Sequence, residues 1–254
     1  MNDLLGYVFS PLREGDIALH RGSGNGLAPI LLVIAEKTSA GCVERLEHEY
    51  ALKAELDAEW AARPVALTHY NDRMTLVLED PGGTPLDRLL GKPLGVSHFL
   101  AIAISLAGKL RQMHERGLVH KDIKPANILV DAASGRLWLT GFGIASRLPR
   151  EHQAPAPPEV IAGTLAYMAP EQTGRMNRSV DSRSDLYALG VTFYEMLTGQ
   201  LPFTAADPME WVHCHIARQP VPPSERIAGV PGPLSAIVMK LLAKTAEERR
   251  RCRG

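Results

Sequence analysis

A short segment, residues 120–127, brings together reactive side chains that constrain this chain more than any other feature. It reads His-Lys-Asp-Ile-Lys-Pro-Ala-Asn and precedes the apolar run 128–130. Phosphoryl transfer needs a carboxylate beside the acceptor hydroxyl and a nearby group that holds a metal ion. Asp122 has the chemistry for the first task and Asn127 for the second, and Lys124 lies between them. The alternative is a turn with a capping Asp and a solvated Lys, which the full string disfavours.

A second segment, Gly163–Glu171, supports the first interpretation. It reads Gly-Thr-Leu-Ala-Tyr-Met-Ala-Pro-Glu. With both segments in order, the chain resembles a protein kinase domain of the Ser/Thr class over roughly residues 15–249. Small-molecule kinases share the first string but lack the Ala-Pro-Glu segment, which disfavours them. The resemblance implies an α+β, bilobal protein kinase-like fold, with a small strand-rich N-lobe (residues 1–80) and a larger helical C-lobe (residues 81–254).

The resemblance assigns roles to the residues that would handle the substrate. Asp122 would orient the acceptor hydroxyl, Lys124 would steady the phosphate and Asn127 would hold the metal ion. Thr164 matches the threonine that marks Ser/Thr rather than Tyr specificity. ATP and Mg²⁺ would be the cofactors, and a protein would be the substrate or partner.

The resemblance also implies a structural frame. Asp185 matches the buried Asp that braces the catalytic loop in this family. Glu171 would pair with Arg249 near the end of the domain. Such a buried pair is structural, because breaking it leaves a charge without compensation.

The nucleotide-binding elements are only partly present. The stretch 12–20 matches the Gly-rich loop that covers the phosphates, but only Gly15 survives and Asp16 adds a negative charge. A further short segment, after the strand predicted at 74–78, matches the linker whose backbone contacts adenine in this family. Recognition through the backbone does not depend on side chains, so this segment would still be able to bind a purine; a plain linker between the lobes is the alternative. Its residues are Leu78, Glu79 and Asp80.

Two charged groups of such a site are missing. Val33 stands where the family has the strand Lys that pairs with the phosphates and with a helix Glu, here matched by Glu49. Gly141, in Gly-Phe-Gly, stands where the Asp of Asp-Phe-Gly holds the metal ion. Losing one well-placed electrostatic group costs about 2.7–4 kcal/mol in a measured enzyme. We therefore expect a degenerate, pseudokinase-like domain with weak or no phosphotransfer.

Two alternatives stay open. The first is an active atypical Ser/Thr kinase with a relocated metal site, in which Asp16, Glu49 or Lys37 assists Asn127. The second is a non-catalytic interaction scaffold that regulates a linked histidine kinase.

The activation segment lacks its usual phosphate acceptors. Residues 147–163 contain no Ser, Thr or Tyr, and Lys121 stands where the family more often has an Arg beside the catalytic Asp. A phosphorylation switch needs both an acceptor and an Arg cluster to order the loop. The sequence therefore predicts a module that is not switched by phosphorylation in this loop.

One further stretch, residues 173–178, narrows the resemblance. It reads Thr-Gly-Arg-Met-Asn-Arg and is similar to a bacterial subgroup of large signalling proteins, in which a kinase-like module precedes an ATPase region, a sensor and a histidine kinase. Sequences of that subgroup also carry Gly-Phe-Gly. The resemblance implies downstream signalling domains as partners. The last helix of the fold should continue where residues 249–254 end the chain, so we expect the domain to be truncated at its C-terminus.

Composition excludes several other classes. Lys and Arg number 28 and Asp and Glu number 28, so net charge does not favour nucleic acid as a partner. The longest aliphatic run, residues 30–35, is too short for a membrane segment, and the N-terminus lacks the pattern of a secretory signal. The three scattered cysteines fit a reducing compartment, so we expect a cytoplasmic protein.

Apolar periodicity predicts the main elements. We expect strands at 17–20, 30–34 and 74–78, a hairpin of 128–130 with 137–139, and a Pro-rich loop at 149–158. We expect helices at 43–62, 97–115 with Ser97 as the N-cap, 185–198, 207–218 and 233–248.

Overall fold

The structure, a computed structural model, describes residues 4–37, 39–147, 165–175 and 178–249. Thr164 and the predicted loop at 149–158 lie outside the described residues.

The chain forms two compact units. The first comprises Met1–Pro85 and Ala126–Ile144, and the second comprises Leu86–Pro125 and Ala145–Gly254. The first unit thus takes in a segment from the middle of the chain. The division into lobes at residue 80 stays a prediction.

The elements of the described residues are as follows. The strands are β1 (Val8–Arg13), β2 (Ile17–Ser23), β3 (Ile30–Ala35), β4 (Pro64–Tyr70), β5 (Arg73–Glu79), β6 (Thr84–Pro85), β7 (Leu118–Val119), β8 (Ile128–Val130), β9 (Leu137–Leu139) and β10 (Ser146–Arg147). The helices are α1 (Ala40–Ala51), α2 (Val96–Glu115), α3 (Ser182–Thr198), α4 (Pro208–Ile216), α5 (Pro223–Arg226) and α6 (Gly232–Leu241). Short 3₁₀ helices cover Leu86–Leu89, Pro125–Asn127, Leu165–Tyr167, Pro170–Thr173 and Ala246–Glu248.

The first unit is built on a five-stranded antiparallel sheet in the order β1-β2-β3-β5-β4. The all-aliphatic β3 is its central strand, and both of its faces are buried. Val33 packs in the cluster that contains Leu46 of α1, whereas Leu32 and Ile34 pack in another cluster with Val77. This division follows from the alternation of side chains along a strand. A smaller sheet, β6-β8-β9, completes the unit and contains the predicted hairpin.

The second unit is mainly helical, with a two-stranded β7–β10 pair. Its central helix, α3, is buried over most of its length. The helix begins after Asp181, whose side chain accepts a hydrogen bond from the N–H of Arg183, and ends at Gly199 in the left-handed conformation (φ 70°). Both ends have the capping chemistry that their residue types favour.

Strands 17–20, 30–34 and 74–78 are confirmed, and each extends slightly further than predicted. The helix predicted over 43–62 ends early, at Ala51, although Leu56 and Trp60 beyond it are still buried. The apolar residues between 52 and 62 are spaced for burial in the core and do not continue the helix. The N-cap prediction for Ser97 is wrong, because α2 begins at Val96 after Gly95, without a side-chain cap. No helix in the described ranges has the length and apolar character needed to span a membrane.

Candidate functional site

Asp122 and Lys124 meet in the second unit. The Nζ of Lys124 lies 2.8 Å from Oδ2 of Asp122, and both side chains are largely buried, with 18% and 12% exposure for Lys124 and Asp122. The backbone N–H of Asp122 donates to Nδ1 of His120 at 3.2 Å. In this pair the carboxylate of Asp122 can accept a hydrogen bond from a hydroxyl, and the ammonium group of Lys124 can attract an anionic group.

Asp185 fixes the start of the catalytic loop. Its carboxylate accepts hydrogen bonds from the backbone N–H groups of His120 (2.9 Å) and Lys121 (2.8 Å), and contacts Nε2 of His114 (2.8 Å). Lys121 has a left-handed backbone (φ 68°), which is uncommon for a residue with a side chain. Its carbonyl accepts from Nε2 of Gln172 at 2.8 Å. The hydrogen bonds of the N–H and the carbonyl of Lys121 therefore fix the loop on both sides of its left-handed residue.

Glu171 and Arg249 form the ion pair that the resemblance implies. Two guanidinium nitrogens of Arg249 donate to the two carboxylate oxygens of Glu171 at 2.7 and 3.0 Å. The remaining N–H groups of Arg249 donate to backbone carbonyls of the same unit, those of Ala243, Arg183 and Lys244. The pair is almost fully buried, so its fixed geometry anchors the 3₁₀ helix Pro170–Thr173 to the end of the described chain.

Asn127 lies in the first unit, where its side chain contacts an arginine. NH1 of Arg13, at the end of β1, donates to Oδ1 of Asn127 at 2.5 Å and to the carbonyl of Ala126 at 3.0 Å. The carbonyl of Asn127 also accepts from the N–H of Thr140, at 2.9 Å. Sequence reasoning missed Arg13, because nothing in the sequence joins a basic residue before Gly15 to a residue more than a hundred positions later.

Gly141 lies against the same Asn127 side chain. Its φ is 80°, and an added Cβ would lie 2.8 Å from the amide carbon, nitrogen and oxygen of Asn127. A side chain at position 141 therefore requires Asn127 to move. The Asn127 amide fills the space into which a carboxylate from this position would extend.

In the predicted adenine-contacting segment, the backbone N–H groups of Glu79 and Asp80 already donate hydrogen bonds within the first unit. The N–H of Glu79 donates to the carbonyl of Arg63 at 2.9 Å, and that of Asp80 to the carbonyl of Pro29 at 3.4 Å. Pro81 has no N–H to donate. Leu78 is fully buried within β5.

Asp80 is held by an arginine that sequence reasoning also missed. Nε and NH2 of Arg21 donate to the two oxygens of Asp80, the latter at 3.0 Å, and NH2 also donates to the carbonyl of Gly83 at 2.7 Å. The N–H of Gly82 donates to Oδ1 of Asp80 at 2.8 Å. This buried carboxylate therefore shapes the turn after β5.

The remaining positions that the family uses near the phosphates lie either in an exposed turn or in the interior of the first unit. Gly15 (φ 138°) is in the exposed turn between β1 and β2. Asp16 in that turn pairs with Lys37 at 2.8 Å, and both side chains are more than half exposed. Val33 is 4% exposed in the apolar core, and Glu49 of α1 is 2% exposed rather than solvated.

His215, in helix α4, has both ring nitrogens hydrogen-bonded within the second unit. Its Nε2 lies 2.7 Å from the carbonyl of Leu165, which can only accept, so Nε2 carries the proton and Nδ1 accepts from the hydroxyl of Tyr187 at 2.9 Å. Burial lowers the pKa of His215 to about 4. Within the described ranges, no group of three or more His, Cys, Asp or Glu residues is placed to hold a metal ion.

Comparison with known proteins places these features in a family. The sequence model of the protein kinase domain matches residues 32–253, so the match begins within β3 and leaves out β1 and β2. Serine/threonine-protein kinase Pkn1 of Myxococcus xanthus is 37% identical over 180 residues, which are 70% of this chain and 26% of that protein. Serine/threonine-protein kinase PknB of Mycobacterium tuberculosis (strain ATCC 25177 / H37Ra) is 36% identical over 157 residues, 62% of this chain and 25% of that protein.

PknB of Mycobacterium leprae is 37% identical over 157 residues, 62% of this chain and 25% of that protein. The chain thus spans about a quarter of the length of these curated relatives. The family match covers most of the chain, including both segments that first indicated it. This chain belongs to the protein kinase domain family, and its relatives there are bacterial serine/threonine-protein kinases.

Proposed function

We propose that this chain is a degenerate Ser/Thr protein kinase domain of bacterial signal transduction, with weak or no phosphotransfer from ATP. The observation that carries the proposal is the absence of charge at two positions of the first unit. Val33 is buried in an apolar core, and Gly141 has its side-chain space filled by Asn127. In active kinases the corresponding Lys and Asp position the phosphates and the metal ion.

The residues present do not fit Mg²⁺-bound ATP. Mg²⁺ is usually bound through one or two carboxylates together with substrate phosphates, at near-ideal octahedral geometry. Asn127 offers an amide oxygen that already accepts from Arg13, and Gly141 offers no oxygen from a side chain. The segment at Glu79 and Asp80 has its N–H groups bonded within the unit. These features support weak nucleotide binding at most.

The frame of the second unit supports a folded kinase domain. The Glu171–Arg249 pair and the Asp185 contacts retain the family's support of the catalytic loop and of the Ala-Pro-Glu segment. A folded kinase domain that lacks the charged groups at positions 33 and 141 can still act through its surface on a protein partner. We propose that the partners are signalling domains of a longer cytoplasmic chain, including a histidine kinase.

An active atypical kinase is the second candidate, and the contact between Asp122 and Lys124 favours it. Both residues have the chemistry to orient an acceptor hydroxyl and a phosphate. Such an enzyme would need its metal ion elsewhere. The exposed Asp16 is engaged with Lys37, so a relocated site there would have to displace that lysine.

A phosphotransfer assay separates the two candidates. The wild-type domain and its Asp122→Ala variant would be incubated with radiolabelled ATP, Mg²⁺ or Mn²⁺, and a generic Ser/Thr protein substrate. We expect weak or no transfer, far below that of an active Ser/Thr kinase assayed as a positive control. Transfer at a rate comparable to that control, which depends on the metal ion and disappears in Asp122→Ala, would refute the degenerate function and establish the atypical kinase.

A further inference from the structure

The contact between Arg13 and Asn127 has a direct chemical consequence for cation binding. A single guanidinium nitrogen, NH1 of Arg13, bonds both the amide oxygen of Asn127 and the carbonyl of Ala126. These residues are all in the first unit, and β8 begins immediately after Asn127. The guanidinium is thus held against the oxygen that would otherwise be offered to a metal ion.

An arginine at this position competes with a divalent cation in two ways. Arg carries its positive charge at every physiological pH, so it repels a second cation close by. It also occupies the amide oxygen, which belongs to the class of hard oxygen ligands that divalent cations take. Gly141 adds a third effect, because the neighbouring position has no carboxylate to offset the charge of Arg13.

We infer that Arg13 is a built-in substitute for the divalent cation at Asn127. Its guanidinium holds the amide oxygen, fixes the Asn127 side chain against Gly141, and excludes Mg²⁺ and Mn²⁺ from this position. Arg13 is therefore a positioning residue whose contact replaces a metal–ligand bond with a charge-assisted hydrogen bond. This inference extends the proposed function, from which it takes Asn127 as the family's metal-holding residue.

Titration with Mn²⁺ alone, followed by electron paramagnetic resonance, tests the exclusion. The proteins would be wild type, Arg13→Gln, Gly141→Asp, and the Arg13→Gln/Gly141→Asp double variant. We expect no stoichiometric site in wild type or in either single variant, and one site per chain in the double variant. The Arg13→Lys/Gly141→Asp variant is the matched control, because it keeps the positive charge and should not gain the site.

Stability measurements test the same geometry without a metal ion. Asp introduced by Gly141→Asp would lie beside the guanidinium, whereas Gly141→Asn has the same shape without the charge. We expect Gly141→Asp to melt at a higher temperature than Gly141→Asn when Arg13 is present, and this advantage to disappear in the Arg13→Gln background. An equal advantage in both backgrounds would overturn the inference, because Arg13 would not then act on position 141.

The outcomes for this inference and for the proposed function are distinct. A stoichiometric Mn²⁺ site in wild type that is lost in Asn127→Ala, or a site in Gly141→Asp as tight as in the double variant, would overturn the exclusion by Arg13 whether or not the domain transfers phosphate. Phosphotransfer by the wild type through a metal ion bound elsewhere would overturn the proposed function and leave Arg13 as the group that occupies Asn127.

Discussion

The guanidinium of Arg249 and the carboxylate of Glu171 form a buried ion pair in which all five N–H groups of Arg249 have an acceptor. Ser184 adds a hydrogen bond from its hydroxyl to Glu171 at 2.7 Å. The ring of Tyr187 lies 4.9 Å from the guanidinium carbon. Neither charge is exposed enough for water to compensate the loss of its partner.

Removing the cation should therefore be costly. We expect Arg249→Met to lower the free energy of unfolding by about 3–5 kcal/mol, because the Glu171 carboxylate stays buried without its partner. Urea denaturation measures this change. The control is Arg178→Met, which breaks the exposed pair of Arg178 with Glu247 and should cost about 1 kcal/mol or less. Equal losses in the two variants would show that burial does not control the energy of these pairs.

The Asp185 carboxylate should control the order of the catalytic loop. In Asp185→Asn, one carboxylate oxygen becomes an NH₂ group that cannot accept from the N–H of His120 or Lys121. We expect a loss of about 1–3 kcal/mol in stability. Hydrogen exchange should accelerate at the amides of residues 120 and 121. Unchanged exchange at both amides would contradict the bracing role.

Protonation of His215 should destabilise the second unit at acidic pH. Its pKa is lowered to about 4 from an ordinary value of 6.5 mainly by burial, and the nearby Lys244 adds to this effect. The unfolded chain therefore binds the proton more readily, so stability is complete above pH 6.5 and falls as pH decreases towards 4. The loss at the acid limit is on the order of 3 kcal/mol.

Thermal denaturation between pH 7 and 4.5 measures this dependence. His215→Gln should reduce the slope of stability against pH, whereas replacement of its exposed neighbour, His213→Gln, should leave the slope unchanged. An unchanged slope in His215→Gln would show that protonation of this residue does not control the acid sensitivity of the second unit.

The family and the main elements could be predicted from local sequence. The aliphatic β3 and the buried α3 have patterns with few alternative structures, and the string at 120–127 has a family-specific spacing. β1 and β4 were missed because their residues are mostly half-exposed or exposed, so neither strand shows a clear alternation. The resemblance did not help for β1, since it begins only at about residue 15.

The candidate site was predictable only where partners follow family spacing. Glu171 and Arg249 were paired from the resemblance, and they meet as expected. The partners of Asn127 and Asp80 are arginines on β1 and β2, which reach them only because of tertiary folding. No sequence period links residues so far apart. The burial of Glu49 likewise depends on how α1 packs on the sheet, whereas its charge alone would predict an exposed side chain.

Restoring the missing charges should restore some phosphotransfer. We expect Val33→Lys with Gly141→Asp to raise the rate of transfer from ATP above wild type, because the two groups would attract the phosphates and the metal ion. Adding Arg13→Gln should raise it further by releasing Asn127. The matched control is Val33→Met with Gly141→Asn, which changes size at both positions without charge. A folded double variant with no gain would show that these two positions do not limit the reaction.

A thermal-shift titration with ATP tests most directly whether this kinase domain uses a metal-bound nucleotide. The melting temperature of the wild-type domain would be measured against ATP concentration with Mg²⁺ and with EDTA. We predict that Mg²⁺ adds no stabilisation to that given by ATP alone. Stabilisation that requires Mg²⁺, together with ATP turnover abolished by Asp122→Ala, would contradict the account.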